Sequence, residues 1–150
     1  MPEYLKNLRA VVGNLPIVVC GASVIVVNEA GEILLQQRKD NGKWGYPGGI
    51  VDVNENTEEA AQREVYEEAG ITANSLELFG VFSGKDYYHV YPNGHAVSVV
   101  DVVYICKDFS GEPKHDGVES IAARFFAVDD FPQNLSVLCE KVLRKYCAER

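Results

Sequence analysis

The segment IVVCGASVIVV, Ile17 to Val27, restricts the fold more than any other stretch of the chain. It is apolar and rich in β-branched side chains, which pack well on a pleated surface and crowd a helix. It reads as a buried strand with a β-bulge at Gly21. A turn at NEAG and a second run, EILLQQR, make it one arm of a predicted hairpin. The apolar stretch is too short to cross a bilayer, is interrupted by glycine, and lacks the basic start and cleavage site of a signal peptide. A cytoplasmic protein without a membrane partner is expected.

A buried strand needs cover. Tyr4, Leu5, Leu8, Val11 and Val12 recur at helical spacing and predict an amphipathic helix over about residues 3–12, stopped near Gly13 and suited to a lid or a dimer contact. LELFGVFSG, AVSVVDVVYIC and AARFFAV read as further strands, and Leu135, Leu138, Cys139, Val142, Leu143 and Tyr146 mark a closing helix. No repeat, low-complexity run or linker interrupts the 150 residues, so one domain is expected. The economical architecture is α/β: a mixed β-sheet sandwiched between α-helices.

Charge narrows the ligands. With 47% hydrophobic and 24% charged residues the chain has a soluble globular balance, and its formal charge of -8 argues against non-specific DNA or RNA binding. A phosphate-bearing ligand would need metal ions to supply positive charge. Cys20, Cys106, Cys139 and Cys147 are widely spaced in apolar contexts and predict four buried, reduced thiols.

The acids are concentrated in REVYEEAGI, residues 63–71. Asn56 suits a helix N-cap, Glu59 can reach back to it, and Gly70 suits the left-handed position after the last turn, which predicts a helix from about Thr57 to Ala69. On that helix Glu64, Glu67 and Glu68 stand at i, i+3 and i+4 and share one face, where like charges repel. Ala60 and Ala61 leave room for other backbone to approach. Arg63 can pair with Glu59 or Glu67. A solvated ridge would carry the same acids; a hard divalent cation would remove the repulsion.

The wider spacing decides between these readings. From Gly49 the chain runs five residues to Glu55, seven more to Arg63, then Glu64, Val65, Glu67, Glu68, Gly70 and Ile71. This resembles the complete Nudix box, residues 49–71, whose chance occurrence at a given start is on the order of one in a billion. The resemblance extends to the WGYPGG approach and to RFFAVDDFP. One departure is the segment Asp52, Val53, Asn54, Glu55 where family members often have Glu-x-Gly-Glu; Asp keeps the acid, and Asn tolerates the left-handed backbone that Gly would supply.

The resemblance implies the Nudix fold and hydrolysis of a nucleoside diphosphate-type compound, with Mg²⁺ or Mn²⁺, by water attack at phosphorus. It implies Glu67 and Glu68 as central metal ligands, Glu64 as a ligand or the base, the Gly49 carbonyl as a further ligand, and Arg63 and Glu55 as groups that orient the cluster. The general base often comes from a later loop in this family. In KHDGVES, Glu119 is the candidate, with Asp116 behind it.

Substrate contacts are read from loops. Arg38 is a candidate for phosphate and Tyr87 and Tyr88 for stacking on a base, against the alternative of aromatics packing locally around the PNG turn. Trp44 reads as a loop anchor, and His89, His95 and His115 as solvated loop residues. The family's substrates include nucleoside triphosphates and other nucleoside diphosphate derivatives. Dinucleoside polyphosphates and ADP-ribose are the alternatives, and a non-catalytic nucleotide-binding sensor is the alternative of another class. The resemblance also allows a homodimer.

Overall fold

The computed structural model describes residues 2–150. In chain order the elements are α1 (Glu3–Val12), β1 (Ile17–Val26), β2 (Ile33–Arg38), β3 (Trp44–Gly45), β4 (Gly48–Ile50), α2 (Thr57–Ala69), β5 (Thr72–Ala73), β6 (Glu77–Phe82), a 3-10 turn (Lys85–Tyr87), β7 (Tyr88–Val90), β8 (Ala96–Cys106), β9 (Phe109–Ser110), β10 (Ser120–Phe126) and α3 (Val137–Glu149). β1 and β8 run parallel in unbroken register from Ile17 opposite Val97 to Val26 opposite Cys106. Around this pair the other strands add antiparallel, giving the order β4-β1-β8-β6 with β7 also on β8.

The two faces of β1 explain why its sequence is apolar throughout. Ala22, Val24 and Val26 pack with Ala60, Ala61, Val65 and Ala69 of α2. The alternate residues Ile25 and Val27 pack with Val142, Leu143 and Tyr146 of α3. Period-two alternation in a strand covered on both sides needs apolar residues at every position. Each fully buried branched side chain contributes about 1.5–3 kcal/mol relative to exposure. The predicted α/β/α arrangement of a mixed sheet between helices is present.

Three expectations need correction. Gly21 is not a bulge: it pairs regularly with Asp101 on one side and Ile50 on the other. β1 and β2 are not a sheet hairpin either. After the turn only the bridge between Val27 and Ile33 joins them, and β2 departs into a three-stranded sheet ordered β10-β2-β3. That departure lets Leu34 serve the α2 side of the core while Ile33 and Leu35 serve the α3 side. Finally, all four cysteines are free, but Cys20 on β1 is exposed, and Cys139 and Cys147 on α3 are half-buried.

α1 ends at Gly13 as expected, with φ 63°. It is docked to the sheet: Leu5 packs with Val19 and Val97, and the buried Arg9 guanidinium donates to the carbonyls of Gly13, Leu15 and Ala96. The Ala96 carbonyl ties the helix to the first residue of β8, an attachment unlike that of a mobile lid.

Candidate active site

α2 begins and ends where local chemistry demands. The Asn56 side chain accepts from the Glu59 backbone N–H at 2.8 Å and donates its amide to the Glu59 carboxylate, so the two residues cap each other through side chains. Gly70 closes the helix at φ 70°, and its N–H donates to the Tyr66 carbonyl. The preceding loop is turned by Asn54, whose φ of 67° is the one positive value outside glycine among the described residues. Asparagine at this position does what the family's glycine would do.

Between those ends, Arg63 organises the acids. It does not reach Glu59. Its Nε and Nη2 instead hold the two Glu55 oxygens at 2.7 and 2.9 Å, in the fork geometry suited to a carboxylate. Nη1 donates to Glu64 at 2.8 Å and to Glu67 at 3.4 Å, and Nη2 also meets the Ile50 carbonyl at 3.3 Å. The Arg63 hydrogen bonds hold the Glu55 carboxyl below its usual range, and the same bonds raise the guanidinium. Glu64 is largely shielded, with 14% of its side chain exposed, whereas Glu67 is open to solvent at 57%.

Glu68 is different. Burial, and then the neighbouring Glu64 carboxyl, push its pKa up to about 9, while a hydrogen bond from the Gln36 side chain opposes the shift. Gln36 lies on β2, is buried, and leaves its own Oε1 without a partner. Sequence reasoning missed this residue, because the period-two pattern of β2 marks Gln36 only as a polar position and says nothing about which helix it faces.

The glycine loop completes the wall. A Cβ on Gly49 would overlap the Glu64 carboxyl group, so only glycine lets the β4 backbone lie against this acid. Across from α2 stands the loop before β10. Asp116 Oδ1 accepts the backbone N–H groups of Val118, Glu119 and Ser120 at 2.8, 2.9 and 3.0 Å. Burial works against its ionisation, but these donors outweigh it and lower its pKa. Asp116 is thus the residue that shapes the loop, and Glu119 is the exposed acid the loop presents. Arg63, Glu64, Glu67 and Glu68 share a cleft of 410 Å³ with Asp116, Val118 and Glu119, with Asp52 and Pro2 at its margin.

A larger cleft, 540 Å³, lies between Asn28–Ala30 and Lys107–Phe109, but its two acids, Glu29 and Asp108, sit on separate loop segments. The acidic cleft has the more directed chemistry. Among the described residues no three acidic, histidine or cysteine groups stand in a ready-made ligand arrangement. The reason is visible in the partners: the carboxylates are held by Arg63 and Gln36. The donor set still fits a hard divalent ion, since it is all oxygen, a glycine backbone adjoins it, and burial makes one carboxyl resist ionisation until positive charge arrives.

The predicted substrate residues are not brought together. Tyr87 is 8% exposed and packs against Phe82 in the core, so its ring is unavailable for stacking on a base. Tyr88 is exposed on β7, and Arg38 is paired with Asp40 at 2.9 Å. Trp44 is an anchor, buried edge-on against Phe126 with centroids 4.9 Å apart. His89 lies against Tyr91 at 4.5 Å on the exposed β7 edge.

Known proteins resemble this chain in sequence and fold. The NUDIX domain family matches residues 19–146. The chain is 35% identical over 124 residues to an ADP-ribose pyrophosphatase of Methanocaldococcus jannaschii, covering 81% of this chain and 69% of that protein. It is 31% identical over 131 residues to an 8-oxo-dGTP diphosphatase of Haemophilus influenzae, covering 83% of this chain and 90% of that protein. Among solved structures, a MutT NUDIX hydrolase from Burkholderia pseudomallei superimposes with a TM-score of 0.73 at 36% identity, over 85% of this chain and 96% of that one. With its box intact on α2 and the relatives named as pyrophosphatases and diphosphatases, the chain belongs to the Nudix family and is a hydrolase acting on acid anhydrides.

Proposed function

We propose that this hydrolase cleaves the diphosphate linkage of a nucleotide-type compound, a nucleoside triphosphate or a nucleoside diphosphate joined to another group, by water attack at phosphorus with Mg²⁺ or Mn²⁺. The observation that carries the reading is the convergence of Glu64, Glu67 and Glu68 on one face of α2 against the Gly49 backbone. The Gly49 carbonyl and these carboxylates would hold the ion. When bound, a divalent cation neutralises phosphate charge and lowers the pKa of water, which in-line displacement requires.

The protein's own groups supply the rest. Arg63 fixes the rotamers of Glu55, Glu64 and Glu67, so the carboxylates cannot swing apart. Gln36 holds Glu68 from the β2 side. Glu119, standing in the same cleft and not engaged by Arg63, is the group we assign to accept the proton of the attacking water. Arg38 and Tyr88, both exposed, are the remaining candidates to meet phosphate and base.

The names of the relatives span ADP-ribose and 8-oxo-dGTP, so the reading covers both kinds of substrate. Dinucleoside polyphosphates, read from the sequence as an alternative, carry the same linkage. A nucleotide sensor without turnover has no use for the full set of carboxylates. A formal charge of -8 supports a small anionic ligand delivered with its cation over any nucleic-acid partner. No helix among the described residues is long and apolar enough to cross a membrane. A panel of nucleoside triphosphates, ADP-ribose, sugar nucleotides, dinucleoside polyphosphates and coenzyme A, assayed for coupled phosphate release with each metal, tests the reading. A single preferred nucleotide-type substrate supports it, and turnover of none of them contradicts it.

A further inference from the structure

Tyr46, Pro47, Gly48 and Gly49 form the turn that delivers backbone to the acidic helix, and one carboxyl group behind the sheet reaches this turn from two sides. Asp101 lies on β8 in register with Gly21. Its Oδ1 accepts the Ser23 hydroxyl at 2.8 Å, and Tyr46 of the turn lies close enough to the same carboxyl group to act on its charge. Ser23 is the β1 residue opposite Gly48, and the fit is tight: a Cβ on Gly48 would overlap Ser23 Oγ and stand 2.9 Å from the Ala22 carbonyl. The Val24 N–H, next along β1, donates to the Pro47 carbonyl at 3.0 Å.

Strand alternation turns these contacts into a clamp. Gly48 touches Ser23 on the α3 side of the sheet, and the next residue, Gly49, touches Glu64 on the α2 side. The turn is therefore backed by Asp101, hydrogen-bonded to Ser23 and beside Tyr46, and met from the front by the acids. Burial raises the Asp101 pKa, and the Ser23 and Tyr46 hydroxyls pull it the other way. An ionisable group is kept here although it is costly to bury. A carboxyl group suits the place because it accepts the Ser23 hydroxyl and, when ionised, carries no proton that would compete for that role.

We propose that Asp101 is a positioning residue for the reaction: through Ser23 and Tyr46 it sets where the Gly49 carbonyl stands relative to Glu64, Glu67 and Glu68. This rests on the metal reading above. The residue touches neither substrate nor cation, and its effect is carried by the backbone of residues 46–49.

The test compares wild type with Asp101→Leu, Asp101→Asn and the double variant Ser23→Ala/Tyr46→Phe. Mn²⁺ affinity is read by electron paramagnetic resonance titration, and the backbone amide signals of Gly48, Gly49 and Val24 are read in metal-free protein alongside the melting temperature. Asp101→Leu and the double variant are expected to bind Mn²⁺ about 10-fold more weakly or worse, the range for losing a group that supports metal ligands. Their Gly48 and Gly49 amides shift and the Val24 amide exchanges faster. Asp101→Asn, which keeps one acceptor, recovers most of the affinity. Variants that lose melting temperature but keep wild-type Mn²⁺ affinity and unshifted glycine amides would overturn the proposal. If Asp101→Leu fails to fold, the double variant carries the same test with the carboxyl group in place. A wild-type protein that binds no Mn²⁺ would overturn the metal reading itself, while the glycine amides of metal-free protein still decide whether the clamp exists.

Discussion

The acidic face of α2 and the exposed edge formed by Arg38 and β7 were both read as functional, and the structure treats them differently. On and just before α2 the carboxylates have assigned partners: Glu55, Glu64 and Glu67 on Arg63, and Glu68 on Gln36. On the edge, Arg38 satisfies itself with Asp40 two residues away, His89 leans on Tyr91, and Tyr88 stands free in solvent. The first region is pre-organised and the second is adaptable. Chemistry common to a family belongs on a rigid helix, and choice of substrate belongs on loops that can differ without disturbing it.

If that contrast is right, substitutions should separate cleanly. Glu68→Gln is expected to lower kcat/KM by at least about 100-fold, since a ligand should matter no less than the partners that support ligands. Its steady-state kinetics at saturating Mg²⁺ would break the comparison if the loss were only a few-fold. Arg63→Ala should cost about 10–100-fold in activity and, by leaving shielded carboxylates unpartnered, about 1–3 kcal/mol of stability in urea unfolding.

The pH dependence of stability sharpens the same point. The Glu68 pKa is raised from 4.5 to about 9, so its protonated form fits the metal-free fold better. That contribution is complete below the unfolded value of 4.5 and is lost as pH rises toward about 9. A cation replaces the proton. The gain in melting temperature on adding Mg²⁺ should therefore grow from mildly acidic to mildly alkaline buffer, and a gain independent of pH would place the ion elsewhere. The smallest effects belong to the edge: Arg38→Ala and Tyr88→Ala should leave kcat nearly unchanged, raise KM by roughly 3- to 10-fold, and change stability by less than about 0.5 kcal/mol.

The same contrast describes what could be read from the chain. The bounds of α2, its Asn56 cap, its Gly70 stop and the left-handed Asn54 are decided by residues within a few positions of one another, and spacing exposes them. The alignment of Glu64, Glu67 and Glu68 follows from helical pitch alone. Of the two partners read for Arg63, Glu67 is met and Glu59 is not, and the main partner, Glu55, went unread because it lies outside the helix, brought close by the loop. β2 was misplaced because strand pairing across different sheets leaves no mark in local pattern, and Gln36 and Asp101 were silent for the same reason. Tyr87 and Tyr88 are adjacent and alike in sequence. Which one enters the core depends on the 3-10 turn that ends between them.

The central claim is that the acids of α2 form the platform on which the anhydride is cleaved. The most direct measurement is metal-dependent phosphate release by wild type and by Glu67→Gln, an exposed position where substitution should leave the fold intact. Turnover by the wild type that requires Mg²⁺ or Mn²⁺, is abolished by chelation and is lost in Glu67→Gln is the predicted result. Full activity in Glu67→Gln, or wild-type turnover that persists without metal, would contradict it.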